Sequence, residues 1–564
     1  MNKPSLSLSM LATLAAFTAL AALATASVPA AAQSVHPQAL DAYTAAERAI
    51  PIFNEAHNTL PPLKIPLDPP AVNLQSRDEV LAYYHGAFGM MAKWWANWSN
   101  GNLDTCVRGT TSRGFQESVV ARANWWRGMA GRPTNLSFKL DAEQSRLAQE
   151  GAMMLNAAHV FMHDPAPTIK CYSRDGDIGA DGNLDGNNDP DASATDGMIQ
   201  DGGDTNVDAG HRAGTLYIDQ RIHGVGSTGT GPVGGILASN ATKQSLKIFN
   251  NIGIPLPAPV AFPAAGFTLL NVLPNTGRWE YMDPRYMSSA RATVTMTKNG
   301  APLPVTVGYR TGQEEYNYPR LVWDLPLLEA RNAYTQLNSG EADVVYTVTV
   351  SGLTKYDGTV APDVHYTVTA INGFPGHADW NGDQNAQAVS EFYVPAKDTY
   401  FLSQSRDDAL LIDDAGSGTL YRSWRGFYAW PNAGVAPQGA VPVCRWFFKA
   451  PQSTHFYSGR QSDCDLLRQT FKDNAAVAVE DDAAAFYIML PKADGSCDAK
   501  YQPVYRLFNN RGAQNEANHR YTVHPSDRQA LIARNWTDEG IAFCAPRKKE
   551  NYLTDGGVMD WKWY

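Results

Sequence analysis

The chain has 564 residues, 44% of them hydrophobic, and a formal net charge of −10. That length exceeds one ordinary core and predicts a multidomain protein of roughly three or four units of about 100 to 200 residues each. The negative balance disfavours nucleic acid, whose phosphates need a surface of concentrated Lys and Arg, so no nucleic acid partner is expected.

Residues 1–32 place Lys3 before an apolar stretch from Leu11 to Ala24 and end on the small-residue site Ala30, Ala31 and Ala32. This is the pattern of a secretory signal peptide, and it is too short and alanine-rich to anchor securely. No later segment has about 18 consecutive apolar residues, so no transmembrane segment is expected after signal removal. The expected location is secreted, periplasmic or cell envelope. In that oxidising setting Cys106, Cys171, Cys444, Cys464, Cys497 and Cys544 suggest structural disulfides. If bonds stay within domains, Cys106 pairs with Cys171. The other four have three connectivities, of which Cys444 with Cys464 and Cys497 with Cys544 is the most local.

A helical N-terminal region and mixed domain is expected over residues 35–250. Ser76 opens a helix running through Tyr83, Tyr84, Phe88, Met91, Trp94 and Trp95 at helical spacing. A second helix spans Phe115 to Met129 and ends at Gly131-Arg132-Pro133. The third spans Leu140 to Met162, which puts His159 and His163 on one face. Residues 173–210, rich in Gly, Asp and Asn, read as a long loop. His211 then follows a tight glycine turn into a strand from Leu216 to Asp219, and Gly224 to Gly229 reads as a flexible loop rather than a nucleophile turn.

Pro255 to Pro259 reads as a linker into an immunoglobulin-like β-sandwich over residues 255–375. Its strands run Arg291–Thr297, Val305–Tyr309, Val344–Val350 and Val364–Ala370, with a turn at Asn299-Gly300. Residues 390–546 form three imperfect units opening at Tyr400-Phe401, Phe456-Tyr457 and Arg520-Tyr521. Linking phrases starting at Pro442 and Pro503 also repeat. A mostly β repeat domain is expected, with pseudo-threefold symmetry as one arrangement. Its aromatic richness suits either packing or a sugar-stacking surface. Residues 547–564 are a C-terminal tail, and the fold class is multidomain α+β.

Three segments carry the chemistry: the helix Asn124 to Gly131, the stretch His163, Pro165 and Cys171, and the turn Gly210-His211-Arg212. Their order resembles the CAP superfamily of cysteine-rich secretory, antigen five and pathogenesis-related proteins, closest to divergent bacterial members, over about residues 115–230. The resemblance implies an α-β-α sandwich in which His163 and His211 face each other across a cleft. In that family two acidic residues complete a tetrad, one of them the glutamate of a G-E-N motif. Here Gly182 stands in that glutamate's place within Asp181-Gly182-Asn183, and Asp201 is the candidate for the second acid. A two-histidine cleft suits zinc or general acid and base work, but the missing carboxylate argues against catalysis.

Asp181, Asn183, Asp185, Gly186, Asn187 and Asp189 fall at positions 1, 3, 5, 6, 7 and 9 of a calcium-loop template. Ala192 holds position 12, where the bidentate glutamate belongs, so an EF-hand proper is not expected. Asp175, Asp177, Asp191 and Asp196 lie near enough in sequence to fill coordination, against the alternative of a solvated acidic loop. The expectation is therefore an exported, non-catalytic binding or adhesion protein, with the sandwich as spacer. Its β-rich module, which resembles an uncharacterised repeat module of exported bacterial proteins, would dock on a surface glycan or protein. The alternatives are a metal-dependent hydrolase or peptidase using His163, His211 and Asp201, and a binder of a small apolar ligand such as a lipid or sterol.

Overall fold

A computed structural model describes residues 69–550, apart from residues 93, 187–190, 217–221, 231, 234–235, 238–243, 249–258, 312–318, 327–342, 378–381, 406–407, 410–411 and 413–419. The signal peptide, the chain up to residue 68, most of the proline linker, Asp189 and the tail beyond residue 550 lie outside the described residues. Helices and strands are both abundant, as expected of a mixed α+β chain.

Helix α1 (Arg77–Ala87) begins where Ser76 accepts the Glu79 amide at 3.4 Å, with Asp78 and Glu79 in its first turn. It does not continue to Trp95. After Ala87 the chain tightens into a 3-10 turn at Phe88–Met91 and then extends. At Gly89 the backbone passes so close to the C-terminal domain that a Cβ there would lie 1.5 Å from the Tyr428 hydroxyl.

The hairpin of β1 (Ser99–Asn102) and β2 (Val107–Thr110) is tied by Cys106–Cys171. Helix α2 (Arg113–Met129), strand β3 (Lys139–Leu140) and helix α3 (Ala142–Ala158) follow. Helix α3 ends at His159, which adopts the left-handed conformation with φ +55°. His159 and His163 therefore do not share a helix face.

The stretch read as a long loop is largely folded into α4 (Arg174–Ala180), β4 (Asn183–Asp185), α5 (Ser193–Gln200) and α6 (Gly210–Leu216). Gly179 serves packing: a Cβ there would sit 2.0 Å from the Leu147 carbonyl oxygen of α3. His211 consequently lies on a helix that includes Leu216, and the rest of the expected strand, to Asp219, lies outside the described residues.

The glycine-rich segment read as a flexible loop is instead β5 (Ile222–Ser227), a buried strand. A Cβ on Gly224 or Gly226 would come within 2.1 Å or 2.2 Å of the α3 backbone, so glycine alone allows helix and strand to approach this closely. Val225 faces the other way, into a cluster with Phe115, Val119 and Ala123 of α2. After the short pair β6 (Pro232–Val233) and β7 (Ile236–Leu237), β8 (Gln244–Ile248) completes a sheet of order β3-β5-β8-β4 with helices on both faces.

The next nine strands are β9 (Val260–Phe262), β10 (Gly266–Leu269), β11 (Arg278–Met282), β12 (Thr293–Lys298), β13 (Ala301–Leu303), β14 (Thr306–Arg310), β15 (Arg320–Asp324), β16 (Val344–Ser351) and β17 (Val364–Ile371). They form two sheets, β10-β17-β16-β12-β13 and β14-β15-β11-β9, around a core holding Trp279, Trp323, Tyr346 and Val348. Asn299 and Gly300 turn the β12–β13 hairpin at φ +50° and +82°.

Three similar units close the chain. The first contains β18 (Gln387–Val394), β19 (Thr399–Ser403) and β20 (Tyr421–Ala429). The second contains β21 (Val441–Phe448), β22 (Thr454–Ser458), α7 (Gln461–Phe471) and β23 (Ala478–Ile488). The third contains β24 (Tyr501–Phe508), β25 (His519–Thr522), α8 (Pro525–Ala533) and β26 (Thr537–Pro546). In each sheet the first strand lies in the middle, so a unit opens one strand before the aromatic pairs singled out in the sequence. Val389, Val443 and Val504 occupy matching places in one shared core. Ser403, Ser458 and Thr522 each donate a hydroxyl to the aspartate five residues on, Asp408, Asp463 and Asp527.

The seams between units repeat too. The Tyr457 hydroxyl bonds the Leu402 backbone at 2.9 Å, and the Tyr521 hydroxyl bonds the Tyr457 carbonyl at 2.7 Å. Arg445 lies over Phe401 and Arg506 over Phe456, both at 5.4 Å. At the third seam the chemistry changes, and Arg520 pairs with Glu391 through two 2.9 Å bonds. Disulfides Cys444–Cys464 and Cys497–Cys544 take the most local pairing.

The sandwich packs directly against the N-terminal domain. The described residues fall within one compact unit, and α1 packs at once on Trp125, on Phe374, and on the repeat domain, where His524 Nε2 meets the Gly86 carbonyl at 3.2 Å. The start of the expected tail is packed as well, since Glu550 accepts the Tyr428 hydroxyl at 3.0 Å.

Candidate functional site

Asn124 donates to the Phe138 carbonyl and accepts its amide, fixing the approach to β3. One turn on, Arg127 lies over the Phe138 ring at 4.2 Å and donates to the Thr215 carbonyl at 2.8 Å, which ties α2 to the helix that carries His211. The spacing of Asn124 and Arg127 thus serves positioning of the site rather than chemistry.

His211 donates Nδ1–H to Asp201 Oδ1 at 2.9 Å, and the other Asp201 oxygen accepts the Arg212 amide at 3.0 Å. Asp201 is buried in the left-handed cap of α5, and Arg212 covers the last carbonyls of that helix at Ile199 and Gln200. On the facing segment, beyond the end of α3, His163 donates Nδ1–H to the Ala180 carbonyl at 2.9 Å. The two imidazole rings lie 6.5 Å apart. With each Nδ1 engaged as a donor, the neutral ring carries its lone pair on Nε2.

Burial of His211 opposes its protonation, but the Asp201 hydrogen bond and the charges of Asp201, Asp208 and Asp185 outweigh it and raise its pKa above the ordinary imidazole value. Asp208 carries no motif and escaped the sequence reading. Asp185 was singled out there for calcium, yet it belongs to the surroundings of His211.

The residues described do not by themselves make a zinc site. Two imidazoles bound to one tetrahedral zinc at about 2.1 Å would bring their ring centres to roughly 5 Å, and a catalytic zinc takes three protein ligands. Among the described residues no group of three or more His, Cys, Asp or Glu is placed to hold a metal ion. Of the calcium template, Asn183 and Asp185 lie in a strand paired with β8, while Asn187 and Asp189 lie outside the described residues. Asn183 spends its amide on the His211 carbonyl at 2.9 Å, and Asp181 ends α4.

Residues of the sandwich, unmarked in the sequence, brace this site. Arg278 of β11 donates one nitrogen to the carbonyls of Asp201, Gly203 and Asn206 at 2.9, 3.1 and 2.6 Å, while its other nitrogens hold Asp324. Arg320 of β15 donates to the Ala209 carbonyl at 3.0 Å and pairs with buried Glu280 at 2.9 Å.

Among known families, one described as a domain of unknown function (DUF5648) matches residues 424–546. The match runs from within β20 to the end of β26 and so takes in the second and third units. No match is found among curated proteins. Among the described residues no helix is long and apolar enough to cross a membrane, and the three disulfides are compatible with an extracellular or envelope location.

Proposed function

We propose that the chain is an exported, non-catalytic binding protein of CAP-like type, whose histidine cleft holds a ligand and whose repeat domain docks on a surface glycan or protein. The observation that carries this reading is the set of carboxylates around His211. They hold its pKa above the ordinary imidazole value against the effect of burial, and so favour the hydrogen-bond-donating form. Two imidazoles 6.5 Å apart suit recognition of a polar ligand by hydrogen bonds. The immunoglobulin-like character of the sandwich belongs to the same proposal.

The second reading, a hydrolase, draws on the Asp201–His211 pair, which is the oriented-base half of a catalytic constellation. Apolar-ligand binding draws on Phe161 and Met162, 39% and 41% exposed just before His163. The test compares wild type with the double variant His163→Ala, His211→Ala, measuring metal content and turnover of peptide and ester substrates. No turnover and equal metal content support binding. Turnover or bound metal lost with the histidines overturns it.

A further inference from the structure

A cleft of about 600 Å³ opens where the second unit meets the third, lined by Arg460, Lys492, Arg528, Tyr505, Glu539 and Ile541 among others. It arises from a departure from the repeat. In the second unit the disulfide Cys444–Cys464 staples the central strand to the helix. Lining up Val443 with Val504 in the central strands and Asp463 with Asp527 in the helices puts Tyr505 and Arg528 at those two places in the third unit, where the guanidinium stacks on the ring at 4.0 Å. The connection between the units, pinned by Cys497–Cys544, forms the opposite wall through Leu490 to Gly495.

The charges in this cleft are unequally satisfied. Arg528 pairs with Asp538, Lys492 with Asp498, and Glu539 with Arg506 at 2.6 Å. Arg460, exposed at the rim, makes no ion pair among the described residues. A chain with a net charge of −10 thus presents one unmatched guanidinium beside paired donors and acceptors and an aliphatic floor of Leu490, Pro491 and Ile541.

We infer that this cleft binds a uronic-acid-bearing sugar chain. Arg460 takes the carboxylate through its planar fork, the paired charges take hydroxyls, and the aliphatic floor takes a sugar face. The inference deepens the docking part of the reading above and rests on it.

The test is titration calorimetry on the whole oxidised protein with oligomers of polygalacturonate and of alginate, beside maltohexaose and an oligoglutamate peptide. One uronate series binds, the affinity falls at least tenfold in Arg460→Glu and severalfold in Lys492→Gln, and binding weakens with salt. Thermal melting checks that both exposed-site variants stay folded. Silence from both uronates, equal binding of maltohexaose or oligoglutamate, or unchanged affinity in Arg460→Glu overturns the inference. Sedimentation of the protein with isolated cell envelopes separates the two readings, since envelope binding without uronate binding leaves the docking proposal standing and removes only this one.

Discussion

Arg278→Met tests whether the sandwich holds the histidine site in shape. The side chain of Arg278 is 7% exposed and makes five hydrogen bonds, two to Asp324 and three to carbonyls of the loop behind Asp201. Hydrogen bonds to a charged group contribute about 1.5 to 3 kcal/mol each. They do not add here, because Asp324 is 37% exposed and two of the loop carbonyls belong to half-buried residues that water can reach. The net loss is about 3 kcal/mol, chiefly from the buried Asp201 carbonyl and the lost packing.

The site should respond with it. The raised pKa of His211 means that the folded protein favours its protonated form. That contribution to stability is complete below the unfolded value of about 6.5 and is lost as pH rises through the folded value. If Arg278 sets the Asp201 carboxylate, the variant lowers the His211 titration midpoint, read by NMR, along with the urea midpoint. A loss below about 1 kcal/mol with an unchanged His211 titration would refute the bracing argument.

Acid should destabilise through His223 and His524, both fully buried and pushed down to about 4 chiefly by desolvation. Each loses about 3 kcal/mol of folding stability as pH falls from about 6.5 to 4, because only the unfolded state takes up the proton in that window; His524→Gln should flatten the slope of denaturation midpoint against pH. Arg520→Leu leaves buried Glu391 without its pair and costs about 3 to 5 kcal/mol, whereas Glu391→Leu with Arg520→Leu costs clearly less. Additive losses in that urea-denaturation cycle would contradict the seam model. Removing Cys106–Cys171, which spans 65 residues, costs about 4 kcal/mol by loop entropy, measurable as a lower melting temperature of the double Ser variant.

Local signals in the sequence were legible. Ser76 and the alternating Val and Tyr residues of β16 declared their elements because cap and pleat act within a few residues. The glycines misled, since Gly179, Gly224 and Gly226 are there for the backbone of α3, and nothing local distinguishes a close approach from a loop. The same limit displaced the repeat by one strand. Its loudest residues, Tyr457 and Tyr521, stand out because they bridge seams, so they mark where units meet rather than where each begins.

The site divides along the same line. His211 and Asp201 lie ten residues apart, and their pairing could be guessed from one short segment. Arg278 reaches the Asp201 carbonyl from 77 residues away and from another sheet. Its role depends on how two domains pack, which no periodicity encodes. The third seam shows the physical reason most plainly. Glu391 and Arg520 stand 129 residues apart, at places where the other seams use Arg and Phe, and each alone looks like a lapse in the repeat. Together they close the ring of units, because a buried charge is tolerable only with its partner. A residue that departs from a repeat is therefore best explained by the departure it faces.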